Sequence, residues 1–214
     1  NISDTICDPN HPEALPPLTV DEPTVSMTFE VNKSPLAGRE GKYLTSRQIR
    51  ERLERELKSN VALRVEETDD PDRFRVSGRG LLHLSVLLET MRREGYEIAV
   101  SRPSVIVREI DGQKQEPYEH LVADVDAEHQ GSVIERLNER RGTLQDMQPD
   151  ATGRVRLEYI IPARGLIGFR SEFLSLTSGS GILTHVFDHY GPIGAQGIGQ
   201  RRNGVMISQE DGHA

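Results

Sequence analysis

Phe74-Arg-Val-Ser-Gly-Arg-Gly-Leu-Leu-His-Leu84 changes its hydrophobic period in mid-stretch. Phe74 and Val76 alternate with polar neighbours, the period of a half-buried strand. Beyond Gly78-Arg79-Gly80 the apolar residues recur at Leu81, Leu84, Leu88 and Met91, the stripe of an amphipathic helix. Gly95 is a natural left-handed stop for it. Upstream, residues 62–67 form a second strand, joined to the first by the acidic turn Asp69-Asp-Pro-Asp72. Before that, Thr45-Ser-Arg-Gln48 fits a capping box, and Ile49, Leu53 and Leu57 give the following helix one apolar stripe. Val25, Met27, Phe29 and Val31 alternate ahead of a Pro- and Gly-containing loop at 33–42, and residues 97–101 read as a closing strand. The order is β-α-β-β-α-β.

The same order recurs. Residues 121–125 alternate, 132–141 are helical with Val133, Ile134 and Leu137 inward, and Gly142 ends that helix. Strands at 143–147 and 154–161 flank the turn Pro149-Asp-Ala-Thr-Gly153. A helix at 165–177 around Leu166, Ile167, Phe173 and Leu174 and a strand at 182–190 complete the unit. The fold class is α+β: two tandem ferredoxin-like domains, each a sheet with two helices on one face. Separate cores are expected, one holding Phe29, Leu53, Leu57, Leu84 and Leu88, the other Val125, Leu137, Ile160 and Phe173. Residues 1–21 are an irregular, Pro-rich linker, and 104–110 an extra strand or connector between the units.

In 214 residues, 35% hydrophobic and 28% charged, no run approaches the roughly 18–20 apolar residues of a membrane span. No basic, then apolar, leader opens the chain. Cys7 is alone, which excludes an internal disulfide and a cysteine-based zinc site. The composition reads as cytosolic. The formal charge of −8 argues against a general nucleic-acid coat. It is uneven, however: six arginines against five carboxylates from Ala151 onward leave that part at +1 and the first 150 residues at −9. A start without Met and an end just after the strand-like residues 204–208 lead us to expect a piece of something larger.

Enzyme chemistry finds little support. Gly38-Arg-Glu-Gly-Lys42 lacks the spacing and the hydroxyl of a phosphate-cradling loop, so this stretch of chain is not expected to hydrolyse GTP. His185 and His189 have a metal-ligand spacing for a helix but fall on a predicted strand, where four residues span about 13 Å. His83 reads as a packing residue, and Asp69, Asp70 and Asp72 as solvated turn chemistry. No catalytic, cofactor or metal residues are assigned. The helix starts at Arg79 and Arg164 are different. A cation beside a helix N-terminus is unfavourable by about 0.3–1 kcal/mol unless an anion is near, and the free N–H groups there suit phosphate. Pairing with an internal acid such as Glu158 or Glu172 is the alternative. Arg170 lies within two turns of Arg164 on the same expected helix. The Gly-rich stretch 191–204 adds Gln200, Arg201 and Arg202 on a loop that can suit an RNA backbone, a plain mobile loop being the equal alternative. Arg79, Arg164, Arg170, Gln200, Arg201 and Arg202 are therefore the candidate RNA-binding set, with Arg140 and Arg141 next in line.

Val76-Ser-Gly-Arg-Gly-Leu-Leu-His-Leu84 and Glu89-Thr-Met-Arg-Arg-Glu-Gly-Tyr-Glu97 resemble domain III of translational GTPases, such as elongation factor G and LepA. Thr5-Ile-Cys-Asp8, Pro17-Leu-Thr-Val-Asp-Glu-Pro-Thr24 and Ile161-Pro-Ala-Arg-Gly-Leu-Ile-Gly-Phe-Arg170 are closer still to the TypA/BipA family. The resemblance covers nearly the whole chain. It implies that residues 1–21 are the tail of a β-barrel domain, 22–107 domain III, 108–190 a domain V like that of elongation factor G, and 191–214 the start of a C-terminal domain. It further implies a ribosome-associated GTPase of large-subunit assembly, stress adaptation and virulence, with GTP and magnesium held by a GTPase domain outside these residues. The implied partners are rRNA and ribosomal proteins, with tRNA reached by the C-terminal domain, for a monomeric protein without a membrane. A reading from another class stays open, since tandem ferredoxin-like units also serve as regulatory modules that bind a small ligand or a protein without RNA.

Overall fold

The structure, a computed structural model, describes residues 5–16, 22–194 and 198. Val25, Met27 and Phe29 turn inward on β1 (Val25–Val31) and leave Ser26, Thr28 and Glu30 on the other side. α1 (Ser46–Leu57) starts at the expected capping box. The Gln48 N–H donates to the Thr45 hydroxyl at 3.4 Å, and the Thr45 N–H donates back to the Gln48 side chain at 3.1 Å. β2 (Arg64–Glu67) and β3 (Arg73–Gly78) form the hairpin. α2 (Leu81–Glu94) ends at Gly95 with φ 92°, the left-handed cap read from the sequence. β4 (Ile98–Val100) and β5 (Ser104–Val105) pair in turn with the two ends of β1, so residues 98–105 run as one interrupted edge. The order across the sheet is β2-β3-β1-β4, all antiparallel.

The second unit repeats this plan. β6 (Arg108–Ile110) turns into β7 (Gln113–Asp126), followed by α3 (Gln130–Glu139), β8 (Thr143–Pro149) and β9 (Arg154–Pro162). Then come α4 (Ala163–Leu166), α5 (Phe169–Leu176) and β10 (Ile182–Pro192). The sheet order is β10-β7-β9-β8, the same arrangement as in the first. The two cores are separate clusters, as expected. Two ferredoxin-like α+β units in tandem are therefore the architecture of the chain.

Four details differ from the sequence reading. Leu57 closes α1 beyond the sheet and is 37% exposed, whereas Leu53 is fully buried. On β9 the buried residues up to 161 are Val155, Leu157, Tyr159 and Ile161, so the half-buried Ile160 faces the other side of the sheet. The expected helix 165–177 is two helices, because Gly168 takes φ 74° and breaks the ladder between α4 and α5. At the end of α3 the left-handed residue is Arg141 with φ 67°, not Gly142. Gly142 is required for another reason: a Cβ there would lie 2.9 Å from the Tyr159 ring and 3.1 Å from the Leu137 carbonyl.

A carboxylate that the sequence reading passed over organises the loop after β1. Glu97 accepts from the Gly38 N–H at 3.0 Å, the Gly41 N–H at 3.0 Å and the Asn32 amide at 2.7 Å. The Gly38 and Gly41 N–H bonds hold this acid below the ordinary carboxylate range. A folded-state value below the unfolded one stabilises the loop above the ordinary range and is lost as pH falls through the lowered value. Protection of the Gly38 and Gly41 amides in hydrogen exchange is thus expected to persist at neutral pH and to fail only below the ordinary carboxylate range. For the core, Leu53→Ala should cost about 2–5 kcal/mol in urea unfolding. Leu57→Ala should cost clearly less than Leu53→Ala, since more than a third of that side chain stays in water on folding.

Candidate RNA-contacting surface

Arg79 stands exposed between β3 and α2. Its carbonyl accepts from the Thr24 hydroxyl at 3.3 Å, which pins the backbone to the start of β1. The first turn of α2 carries no acid, and the N-cap residue, Gly80, has no side chain to cap with. The guanidinium makes no ion pair with the described residues. Its charge acts on His83, whose imidazolium is disfavoured first by burial and then by Arg79. His83 packs over Gly78, where a Cβ would lie 2.8 Å from Nδ1, and its Nε2 meets the Asn60 side chain at 2.9–3.1 Å. The sequence reading of His83 as a packing residue fits this geometry.

Arg164 takes the alternative weighed for it, with an acid that local sequence did not suggest. Its Nε lies 2.6 Å from Glu116 on β7, and Glu116 is 1% exposed. The same guanidinium donates to the Gly194 carbonyl at 3.2 Å, while the Gly194 N–H donates to Glu116 at 3.3 Å. One buried ion pair thereby fastens α4, β7 and the chain just after β10. The neighbouring Tyr118 hydroxyl donates to the Pro192 carbonyl at 3.0 Å. Burial first, then the Glu116 charge, pushes the Tyr118 phenol above its ordinary range.

Arg140 is structural as well. It donates to the Gly165 carbonyl and to Glu172, both at 2.7 Å, and lies 5.0 Å over the Phe169 ring. Carbonyls at the end of a four-residue helix have no partner of their own, and Arg140 supplies one. Arg136 adds a second bond to Glu172 at 2.6 Å. Arg170, by contrast, is exposed on α5 and makes no ion pair with the described residues. The Gly168 break thus separates it from Arg164: one cation is turned into the fold and the other towards water. Gln200, Arg201 and Arg202 lie outside the described residues. His185 pairs with Glu119, and His189 with Asp188 at 2.5 Å while stacking on Tyr118. Among the described residues no cluster of three potential ligands could hold a metal ion. What the described members of the candidate set offer chemically is two guanidiniums without an ion pair among the described residues, Arg79 at a helix N-terminus and Arg170 on a short helix.

Comparison with known proteins agrees with this architecture. Residues 113–199 match the family model described as elongation factor G C-terminus. Over all 214 residues the chain is 66% identical to the large ribosomal subunit assembly factor BipA of Salmonella typhimurium and 68% identical to that of Haemophilus influenzae. The BipA of Buchnera aphidicola is 56% identical over 213 residues. In each case the whole chain is covered, and it spans 35% of the relative's length.

The Arg164–Glu116 pair makes a sharp expectation for stability. Arg164→Ala leaves a carboxylate buried without its counter-charge, a change that typically costs about 3–5 kcal/mol. Thermal unfolding should show that loss. Adding Glu116→Gln to the Arg164→Ala chain should recover part of it, because the group left behind is then neutral.

Proposed function

Because the chain belongs to the TypA/BipA family along its whole length, we propose that it supplies ribosome-docking surface to a translational GTPase acting in large-subunit assembly. The observation that carries this reading is the 56–68% identity, across the entire chain, to proteins named as large ribosomal subunit assembly factors. The fold supports it physically. Two rigid α+β units present helix ends and loop corners to a partner, and docking by shape needs only local basic contacts. Arg79 and Arg170 are the described cations of the candidate set whose charge no acid among the described residues answers, and Arg201 and Arg202 complete it.

Under this reading residues 22–107 act as domain III and 108–190 as domain V. The preceding stretch belongs to a β-barrel domain and residues 191–214 begin a C-terminal domain that reaches towards tRNA. GTP and magnesium bind elsewhere in the longer protein, on a phosphate-cradling loop that these residues do not contain. The protein works in the cytoplasm as a monomer, in stress adaptation and virulence. No helix among the described residues is long and apolar enough to cross a membrane.

Co-sedimentation of the full-length protein with ribosomal particles, with and without a non-hydrolysable GTP analogue, tests the proposal. Changing Arg79 and Arg170 to Ala should weaken association and lower the slope of log affinity against log salt by about one unit for each phosphate no longer touched. Folding should be unaffected, because exposed charges are worth under about 1 kcal/mol. An unchanged affinity and slope would place the RNA-facing surface elsewhere.

A further inference from the structure

We propose that the open face of the first sheet carries a binding pocket for a small phosphate-bearing molecule. A row of Cα partners crosses four strands there: Arg64 on β2, Ser77 on β3, Ser26 on β1 and Ser104 on β5. Facing partners in a row share one side of the sheet, so three hydroxyls at strand spacing form a polar floor with a guanidinium at its end. Ser26 and Ser104 lie 3.3 Å apart through their hydroxyls. One row further along stands Arg75, and the segment from Ser104 to Arg108 rises as a wall. The half-open groove so formed has a volume of about 440 Å³, within the range of roughly 300–1,000 Å³ found for small-molecule sites.

The chemistry of the lining selects an oxyanion. Guanidinium groups present planar forks of donors that match phosphate oxygens, and serine hydroxyls donate to the oxygens left over. Arg64 has no carboxylate partner among the described residues. Arg75 is held only loosely, 3.7 Å from Glu66, in a pair whose members are both more than half exposed. Such a pair is weak, and an incoming phosphate competes with Glu66 for the same guanidinium. Arg108 is anchored differently. It pairs with Glu22 and lies 4.8 Å over the Tyr190 ring, so its position is set before any ligand arrives. The buried Tyr190 hydroxyl has no hydrogen-bond partner among the described residues and feels the charges of Arg108, Glu22 and Arg64. The volume of the groove suits a compact molecule. This pocket stands apart from the Arg170 corner and does not depend on ribosome docking.

Calorimetric titration of the 214-residue chain with inorganic pyrophosphate and with ribose 5-phosphate tests the assignment. Saturable binding of either is expected, stronger for ribose 5-phosphate if the walls also contact a sugar. Arg64→Ala combined with Arg75→Ala should weaken it at least tenfold, while circular dichroism confirms an unchanged fold at these exposed positions. Glu66→Gln should tighten it several-fold by freeing Arg75. The proposal is overturned if neither compound saturates, if the double arginine variant binds as well as the parent, or if Glu66→Gln weakens binding. It is overturned equally if a single-stranded RNA oligomer binds this face and neither small compound competes with it.

Discussion

An antiparallel sheet has two faces, and each unit of this chain has helices for only one of them. That constraint arranges nearly everything else. Inward positions on β1, β3, β7 and β9 take large apolar side chains, up to Phe29, Phe74, Leu121 and Tyr159, all fully or almost fully buried. Outward positions must remain compatible with water, so the first sheet shows serine, threonine, arginine and glutamate on its open side. Cross-strand pairing then brings opposite charges together, as with Arg73 and Glu30 at 2.6 Å. Recognition chemistry in such a unit has two places to reside: the open face, and the corners where helices begin and end.

The covered face is fixed by a few ion pairs out of water as well as by apolar packing. Arg52 on α1 is 5% exposed and forks to Glu94 at the end of α2, with Nε and Nη2 at 2.5 and 2.9 Å, while Glu56 takes a third bond. Arg140 and Glu172 do the same between α3 and α5, and Arg164 with Glu116 between α4 and β7. Removing such charges from water costs about as much as their attraction returns, so the net stabilisation is small. Their effect is on uniqueness. A helix of four residues cannot hold itself together, and α4 is kept in place because Arg140 takes its carbonyls while Arg164 reaches Glu116. Breaking either interaction would leave an unpaired buried group, which disfavours alternative packings of that corner more strongly than it favours the native one.

Periodicity made the element order readable because one-sided burial writes a clear pattern. The capping box at Thr45 and the glycine stop at Gly95 are local signals and were equally plain. Reading failed where a residue's role depends on a distant part of the chain. Tyr159-Ile-Ile-Pro162 is apolar on both faces, so alternation there cannot say whether Ile160 or Ile161 is inward; the pairing with β7 decides it. Gly142 looked like a helix stop, but its small size serves Tyr159 on another strand. The first residues of β7, Gln113 to His120, are largely polar and gave no strand signal, although they pair with β6, β9 and β10. Glu116 lies in that stretch. The sequence therefore marked Arg164 as a cation needing an anion but could not indicate that the chain provides one.

Internal charge pairing also bears on how an acidic chain would meet RNA under the proposed docking. With a formal charge of −8, long-range attraction to phosphate is absent, and the local field must do what the net charge does not. Most described arginines, however, are engaged by acids of their own unit: Arg50, Arg73, Arg92, Arg136, Arg154 and Arg156 all have carboxylates within 3.4 Å. Each such pair presents a neutral patch to a partner. Among the described residues only a few guanidiniums, Arg79 and Arg170 among them, keep an uncompensated charge, and each would displace about one counterion on meeting an RNA phosphate. Electrostatics from so few contacts gives weak, readily salted-out attraction. On the proposed docking, tight association would have to come from shape, from two units whose corners are held by buried ion pairs, with Arg79 and Arg170 setting register on a phosphate backbone rather than supplying the bulk of the affinity.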